Sequence, residues 1–236
     1  MLLVTLLQNA GAAVAVEALE QEQVSFSLLN MAAKGGWLML VLAVLSVITI
    51  YIFAERMYAI SRAGRLEKNF TKNIAAYLMD GKKKSALSLC RKTNTPIARM
   101  IEKGIERMGR PLHDIQAAVE NVGNVEVAKL EKGLPIMASI AGGAPMIGFL
   151  GTVMGMVQAF FNMSQAGNNI DITLLSGGIY TAMVTTVGGL IVGIIAYFGY
   201  NLLTAKVSDV VFKMETTTIE FMDAIGSKEA ETIDFE

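Results

Sequence analysis

Two threonines, Thr152 and Thr186, stand inside the longest uncharged stretches of this 236-residue chain. A hydroxyl donates one hydrogen bond and accepts two. It does not titrate near neutral pH, so it can hold water or orient a proton path but cannot be the carrier. Between Lys132 and Asp171 lie 38 residues without a charged side chain, and between Asp171 and Lys206 another 34. Their polar groups are hydroxyls and amides, chiefly Thr152, Gln158, Ser176, Thr181, Thr185 and Thr186. A protein that moves protons by itself normally keeps an ionisable group at membrane depth, so here the titratable group would come from another polypeptide. Small residues surround the threonines: Gly148, Gly151 and Gly155 in one stretch, Gly188, Gly189 and Gly193 in the other. Two readings stand side by side. In one, the threonines bond the carbonyl a turn back and the glycine pairs spaced by four residues only pack helices. In the other, subunits arrange these helices around a central space lined by Thr152 and Thr186.

Other chemistry finds little support. The single histidine, His113, and the single cysteine, Cys90, provide no ligand cluster for zinc or haem and no intrachain disulfide. His113, beside Pro111 and Asp114, reads as a surface or helix-start residue, and Cys90 as a small packing residue. No nucleophile–base pair or metal site supports an intramembrane enzyme, and no cofactor is expected.

The elements that must position these groups are membrane helices. Hydrophobic residues make up 53% of the chain and charged ones only 17%, and the mean hydropathy is +0.48. A nucleic-acid binder or a soluble enzyme would be more charged. Gly35 to Ala54 is long enough for one span, and each uncharged stretch for one long helix projecting beyond ~30 Å of hydrocarbon. The polar join Asn162–Asn169 makes the last two a hairpin. Thr152 lies ten residues before Asn162 and Thr186 twelve after Leu174, which puts both at similar depth on antiparallel neighbours. Pro135 and Pro145 can kink the second helix and free carbonyls.

Charge placement sets the orientation. Residues 55–133 hold 16 of the 20 Lys and Arg against nine carboxylates, whereas the hairpin loop holds none of either base. The positive-inside rule puts 55–133 in the cytoplasm, the N-terminus and hairpin loop outside, and the C-terminus inside. The chain thus reads as an all-α integral membrane protein with three transmembrane helices and long cytoplasmic helical extensions. Its segments are an external interfacial helix over 1–34, spans over 35–54, 134–162 and 173–205, a cytoplasmic helical segment over 55–133, a loop over 163–172, and a cytoplasmic helix and tail over 206–236. The first sixteen residues imitate a signal peptide, but no Lys or Arg precedes Lys34. Trp37 reads as an interfacial anchor and the run Lys82–Lys84 as a solvated turn near lipid headgroups. Helices are expected to begin near Pro96 and Pro111, the latter burying Leu112, Ile115, Val119, Val122, Val125 and Leu130. The last helix should continue to about Ile225.

The segment Ala144-Pro145-Met146-Ile147-Gly148-Phe149-Leu150-Gly151-Thr152-Val153-Met154-Gly155-Met156, with Tyr180 to Leu190 and Tyr200-Asn201 downstream, resembles the second- and third-helix motifs of the MotA/TolQ/ExbB proton-channel family. Within that family the likeness leans to the ExbB type. It covers all three spans, roughly residues 25–225. The resemblance implies a pentamer in the bacterial inner membrane, around a pore holding the single helices of an ExbD-type partner. That partner supplies the intramembrane aspartate, and proton flow is transmitted to a TonB-type protein. Thr152 and Thr186 match the family's pore-facing threonines and Pro145 its second-helix proline, while Gly148, Gly151, Gly155, Gly189 and Gly193 are read as packing positions from their spacing alone. Two departures stand out: Thr181 where some relatives carry Glu, which puts Thr181 beside the path without a carboxylate, and Ile195 where they carry Pro. A TolQ-like or gliding-type motor, or a purely structural helix scaffold, are the alternatives.

Overall fold

The structure, a computed structural model, describes residues 35–65, 69–165 and 172–233. The expected interfacial helix over 1–34, the hairpin tip 166–171 and Leu66 lie outside those residues. Every described element is an α-helix: α1 (Gly36–Ala63), α2 (Phe70–Met79), α3 (Lys83–Thr93), α4 (Pro96–Arg107), α5 (Leu112–Glu131), α6 (Leu134–Gln165) and α7 (Ile172–Ile233). Among the described residues three helical stretches, Gly36–Ala63, Leu112–Gln165 and Leu175–Gly226, are long and apolar enough to cross a membrane. With 28, 32 and 62 residues, α1, α6 and α7 run about 42, 48 and 93 Å at ~1.5 Å per residue. α7 extends eight residues past the expected Ile225 because Lys228, Glu229, Ala230 and Glu231 all favour helix.

The helix ends follow local chemistry. Thr95 caps α4 by accepting a bond from the Ala98 amide at 3.3 Å, and Pro96 occupies the first turn where its missing N–H costs nothing. Asn94 ends α3 in the left-handed region, at φ +46. Gly133, at φ +89, separates α5 from α6 and lies where an added Cβ would come within 3.3 Å of Ile52. A side chain there would be strained on both counts.

Contacts divide the chain into two units. One comprises Val41–Ile147 and the chain from Gly189 onward; the other comprises Gly148–Gly188 with the described residues up to Leu40. In the first unit α4 lies at the centre: Ile97, Ala98, Ile101 and Ile105 are all buried. Gly104 allows the close approach of Phe221 from α7 and Val119 from α5, since a Cβ at 104 would lie 2.9 Å from Phe221 Cζ and 3.0 Å from Val119 Cγ2. Along α7 the buried residues are Leu203, Val207, Val210, Met214, Thr217, Phe221 and Ile225. Their spacing of three and four is that of an amphipathic helix with one buried stripe. Ile219, off this stripe, is 61% exposed although apolar. α1, α6 and α7 meet at Gly199, whose added Cβ would fall 2.9 Å from Met137 Cε and 3.2 Å from Phe53 Cδ2.

The buried face of α5 differs from the expected one. It is Ile115, Val119, Gly123, Glu126 and Leu130, whereas Val125 is 53% exposed. Glu126 is only 3% exposed and is bonded to Arg99, with Lys129 Nζ at 2.7 Å from its other oxygen. Burial works against its charge, but the hydrogen bonds and charges of Arg99 and Lys129 outweigh burial and hold the carboxyl below its usual range. Cys90 is buried as well. Desolvation, helped by the charge of Glu102, pushes its thiol up to about 12.

Removing the Glu126 charge leaves two cations without their counter-charge, and an amide offers an acceptor oxygen to only one of them. Glu126→Gln is expected to cost about 1.5–3 kcal/mol, the range for hydrogen bonds to charged groups. Because the folded carboxyl titrates below its unfolded counterpart, this stabilisation is present above the ordinary glutamate pKa of about 4.3 and lost as pH falls below it. Thermal unfolding of the detergent-purified chain at pH 7 and at pH 3.5 checks both parts. A gap between wild type and variant that persists undiminished at pH 3.5 would refute the assignment.

Candidate functional site

The candidate site is built where α6 and α7 approach closely, and glycine is what allows it. In the unit of Gly148–Gly188, a Cβ added at Gly151 would strike the Thr185 hydroxyl and lie 2.7 Å from Thr185 Cβ. One turn on, a Cβ at Gly155 would lie 2.8 Å from Ala182 Cβ and 3.2 Å from the Gly178 carbonyl oxygen. Gly178 in turn faces Ala159, at 2.6 Å from a Cβ placed there. Gly151, Gly155 and Ala159 therefore form one side of a seam, and Gly178, Ala182 and Thr185 the other. The pairs run in opposite directions along the two helices, as a hairpin requires. Separations this short bring backbone against backbone and gain dispersion contact that larger side chains would block.

The threonine hydroxyls at 152, 185 and 186 in this unit turn onto carbonyls. Thr186 Oγ1 donates across the helix pair to the Gly148 carbonyl at 3.0 Å. Thr152 Oγ1 donates within its own helix to Phe149 at 2.6 Å, and Thr185 Oγ1 to Ala182 at 2.7 Å. Thr185 is buried, whereas Thr152, Thr181 and Thr186 are each half-buried. The structure thus joins Thr186 to the turn that precedes Thr152 through the buried Gly148. Each donor is occupied, so what Thr152 and Thr186 retain is acceptor capacity.

Pro145 and Gly193 come together in the other unit. A Cβ at Gly193 would lie 2.6 Å from Pro145 Cγ and 3.2 Å from the Ala141 carbonyl oxygen. Pro145 has no N–H to give Ala141, four residues earlier, so this carbonyl loses its intrahelical partner. Gly193 is the residue that lets α7 close over the proline ring. Gly189 is buried on the same helix.

Sequence reasoning named Thr185 as a polar group but assigned it no part in the site; the structure makes it the wall against Gly151. It also missed Ala159, Gly178 and Ala182. The signal was present, since Gly155 to Ala159 and Gly178 to Ala182 repeat the four-residue spacing of small residues. Large apolar side chains flank the seam on exposed faces, among them Phe149, Val157, Phe160 and Met183.

The seam makes a coupled prediction. Gly151→Ala is expected to destabilise the detergent-purified chain by about 1–3 kcal/mol, the usual cost of overpacking. Combining it with Thr185→Ala should recover more than half of that loss, because the colliding hydroxyl is gone. A double-mutant cycle by thermal or denaturant unfolding measures the coupling. Simple additivity of the two changes would sink the contact.

A sequence profile of the MotA/TolQ/ExbB proton channel family matches residues 92–216, a range that holds α4, α5, the whole α6–α7 seam and every residue described in this site. An ExbB homolog of Methanothermobacter thermautotrophicus, described as a biopolymer transport protein, is 27% identical over 192 residues, covering 80% of this chain and 67% of its own. An ExbB-like biopolymer transport protein of Synechocystis is 24% identical over 203 residues, covering 85% and 77%. The Tol-Pal system protein TolQ of Haemophilus influenzae is 34% identical over a shorter 108 residues, 44% of this chain and 47% of its own. With glycine-seamed apolar helices, and a profile match spanning more than half its length, the chain belongs to the MotA/TolQ/ExbB proton channel family, as an ExbB-like member.

Proposed function

We propose that the chain is the channel-forming stator subunit of an ExbB–ExbD-type motor, which uses the proton-motive force across the bacterial inner membrane to energise TonB-dependent transport at the outer membrane. Five copies surround a pore, with N-termini outside and C-termini in the cytoplasm. The pore holds the single membrane helix of an ExbD-type partner, and its carboxyl is the proton carrier. Movement of one proton down a 100 mV potential supplies about 2.3 kcal/mol.

One observation carries this reading: the 38 uncharged residues before Asp171 and the 34 after it enclose hydroxyls whose hydrogens are already given to carbonyls. Such oxygens accept hydrogen bonds. They therefore favour a protonated carboxyl, which can donate, over a carboxylate, which cannot. The partner's acid would dock against Thr152 and Thr186 once protonated and leave them on losing its proton to water. Thr181 stands on the same helix as Thr186, beside the path. Proton loading and helix movement become one event, which is what a motor requires. Protons are the transported ion, and no cofactor takes part.

The scaffold alternative draws on the same hydrogen bonds, since a threonine bonded to backbone is also a packing device. Within the family, a TolQ-like or gliding-type motor differs in the partner served and not in the pore chemistry.

Co-reconstitution of the chain with its single-span partner in proteoliposomes separates these readings. Thr152→Val and Thr186→Val, combined, should lower proton flux at least tenfold while native mass spectrometry still shows five copies with bound partner helices. Thr152→Ser with Thr186→Ser should restore most of the flux. Unchanged flux in the valine variant would leave the scaffold reading standing, and a monomer or dimer that ignores the partner would remove the pore altogether.

A further inference from the structure

A recess of about 780 Å³ opens between the end of α1, the α3–α4 turn and α5, all within one unit. Among the described residues its wall carries six cations, Arg62, Arg65, Arg91, Lys92, Arg99 and Lys129, against a single carboxylate, Glu126. That carboxylate is already bonded to Arg99 and Lys129, and Arg91 is paired with Glu102 at 2.7 Å. Arg62, Arg65 and Lys92 have no carboxylate partner among the described residues. Like charges collected around one concavity repel each other unless an anion sits between them, and a walled recess focuses their field more than a flat surface does. The start of α4 also lines the recess through Thr95 and Pro96, which adds the positive end of a twelve-residue helix.

The recess has an apolar side as well. Tyr58, Ala59, Ala63 and Leu130 line it, and Tyr58 is largely exposed. Tyr58 and Ala59 lie four and five residues beyond Ala54, the last residue of the apolar run, or about 6–8 Å along the helix. The headgroup layer extends roughly that far past the hydrocarbon. Arginine side chains from Arg62 and Arg65 are long enough to reach back into it.

We propose that this recess binds a phosphate group, held by Arg62, Arg65 and Lys92, with the phosphodiester of an anionic lipid headgroup or free phosphate as its source. Guanidinium pairs take phosphate oxygens two at a time, a geometry that scattered lysines do not offer. The run Lys82–Lys84 is the natural contrast: it has the same charge as the three proposed ligands but, instead of forming the expected turn, it is exposed at the start of α3, outside the recess wall. The lipid source depends on the membrane orientation given above; the phosphate chemistry does not.

The test compares two triple variants of the full chain that each lose three charges. One is Arg62→Ala, Arg65→Ala and Lys92→Ala; the other is Lys82→Ala, Lys83→Ala and Lys84→Ala. The chain is extracted from nanodiscs of equal phosphatidylglycerol and phosphatidylcholine, and retained lipid is counted by native mass spectrometry. At least fivefold loss of retained phosphatidylglycerol in the recess variant alone supports a lipid source. In the second arm, inorganic phosphate is titrated onto lipid-depleted protein and followed by phosphorus NMR line width. Broadening abolished by the recess variant alone, without selective lipid retention, supports free phosphate. Equal behaviour of the two variants in both arms overturns the site. If the alanine variant fails to fold, Arg62→Lys with Arg65→Lys keeps the charge and should still weaken retention or broadening two- to threefold; no change there overturns the bidentate assignment.

Discussion

Hydrocarbon offers no hydrogen-bond partners, and the architecture of α6 and α7 follows from that constraint. A polar hydrogen placed at membrane depth is stabilised only by an acceptor inside the protein. Thr152, Thr185 and Thr186 meet the requirement with the carbonyls of Phe149, Ala182 and Gly148. The bond from Thr186 reaches another helix, which is possible only because the backbones come close. Close backbones require small residues on both sides, and so the glycine seam and the hydroxyl pattern are one arrangement. A larger residue at 151 would disturb the Thr185 wall and, through it, the spacing on which the Thr186 bond depends.

Different physics operates in the segment from α2 to α5 and the far half of α7. Here water is available, and apolar burial sets the positions. α4 presents almost a whole buried turn at its start, with Ile101 and Ile105 continuing the stripe. Phe221 enters over Gly104 because any side chain there would displace it. The charge of this segment is lopsided, and its one deeply buried carboxylate serves to hold two cations, Arg99 and Lys129, in place on the edge of the recess. The remaining cations are left to face outward. Basic character that sequence statistics read only as an orientation signal thus has a local geometry.

What could be read from sequence alone was whatever a single element decides. Three apolar stretches and the starts at Pro96 and Pro111 are local properties; the structure adds that Gly81, Gly109 and Gly133, between successive helices, have positive φ. The depth match of Thr152 and Thr186 was accessible too, since it needs only helical rise. Glu126 was not, because polar residues are discounted when a buried face is sought. Its spacing from Val119, Gly123 and Leu130 marks it as part of the α5 stripe once the Arg99 and Lys129 partners are known, and that knowledge is tertiary. Val125 went wrong for the same reason: valine looked like the better core candidate until the salt-bridged carboxylate took the inward register. Thr185 was hidden by its neighbour, since two adjacent threonines point about 100° apart on a helix and only packing decides which one meets the glycine.

Cys90 has a practical consequence. The sole thiol of the chain is buried among α3 and its neighbours and resists ionisation, so it offers almost no thiolate to an electrophile at neutral pH. The native protein is therefore its own silent background for site-directed spectroscopy. Cysteines introduced one at a time along α6 and α7 could carry spin labels, fluorophores or cross-linkers without first deleting a residue from the core.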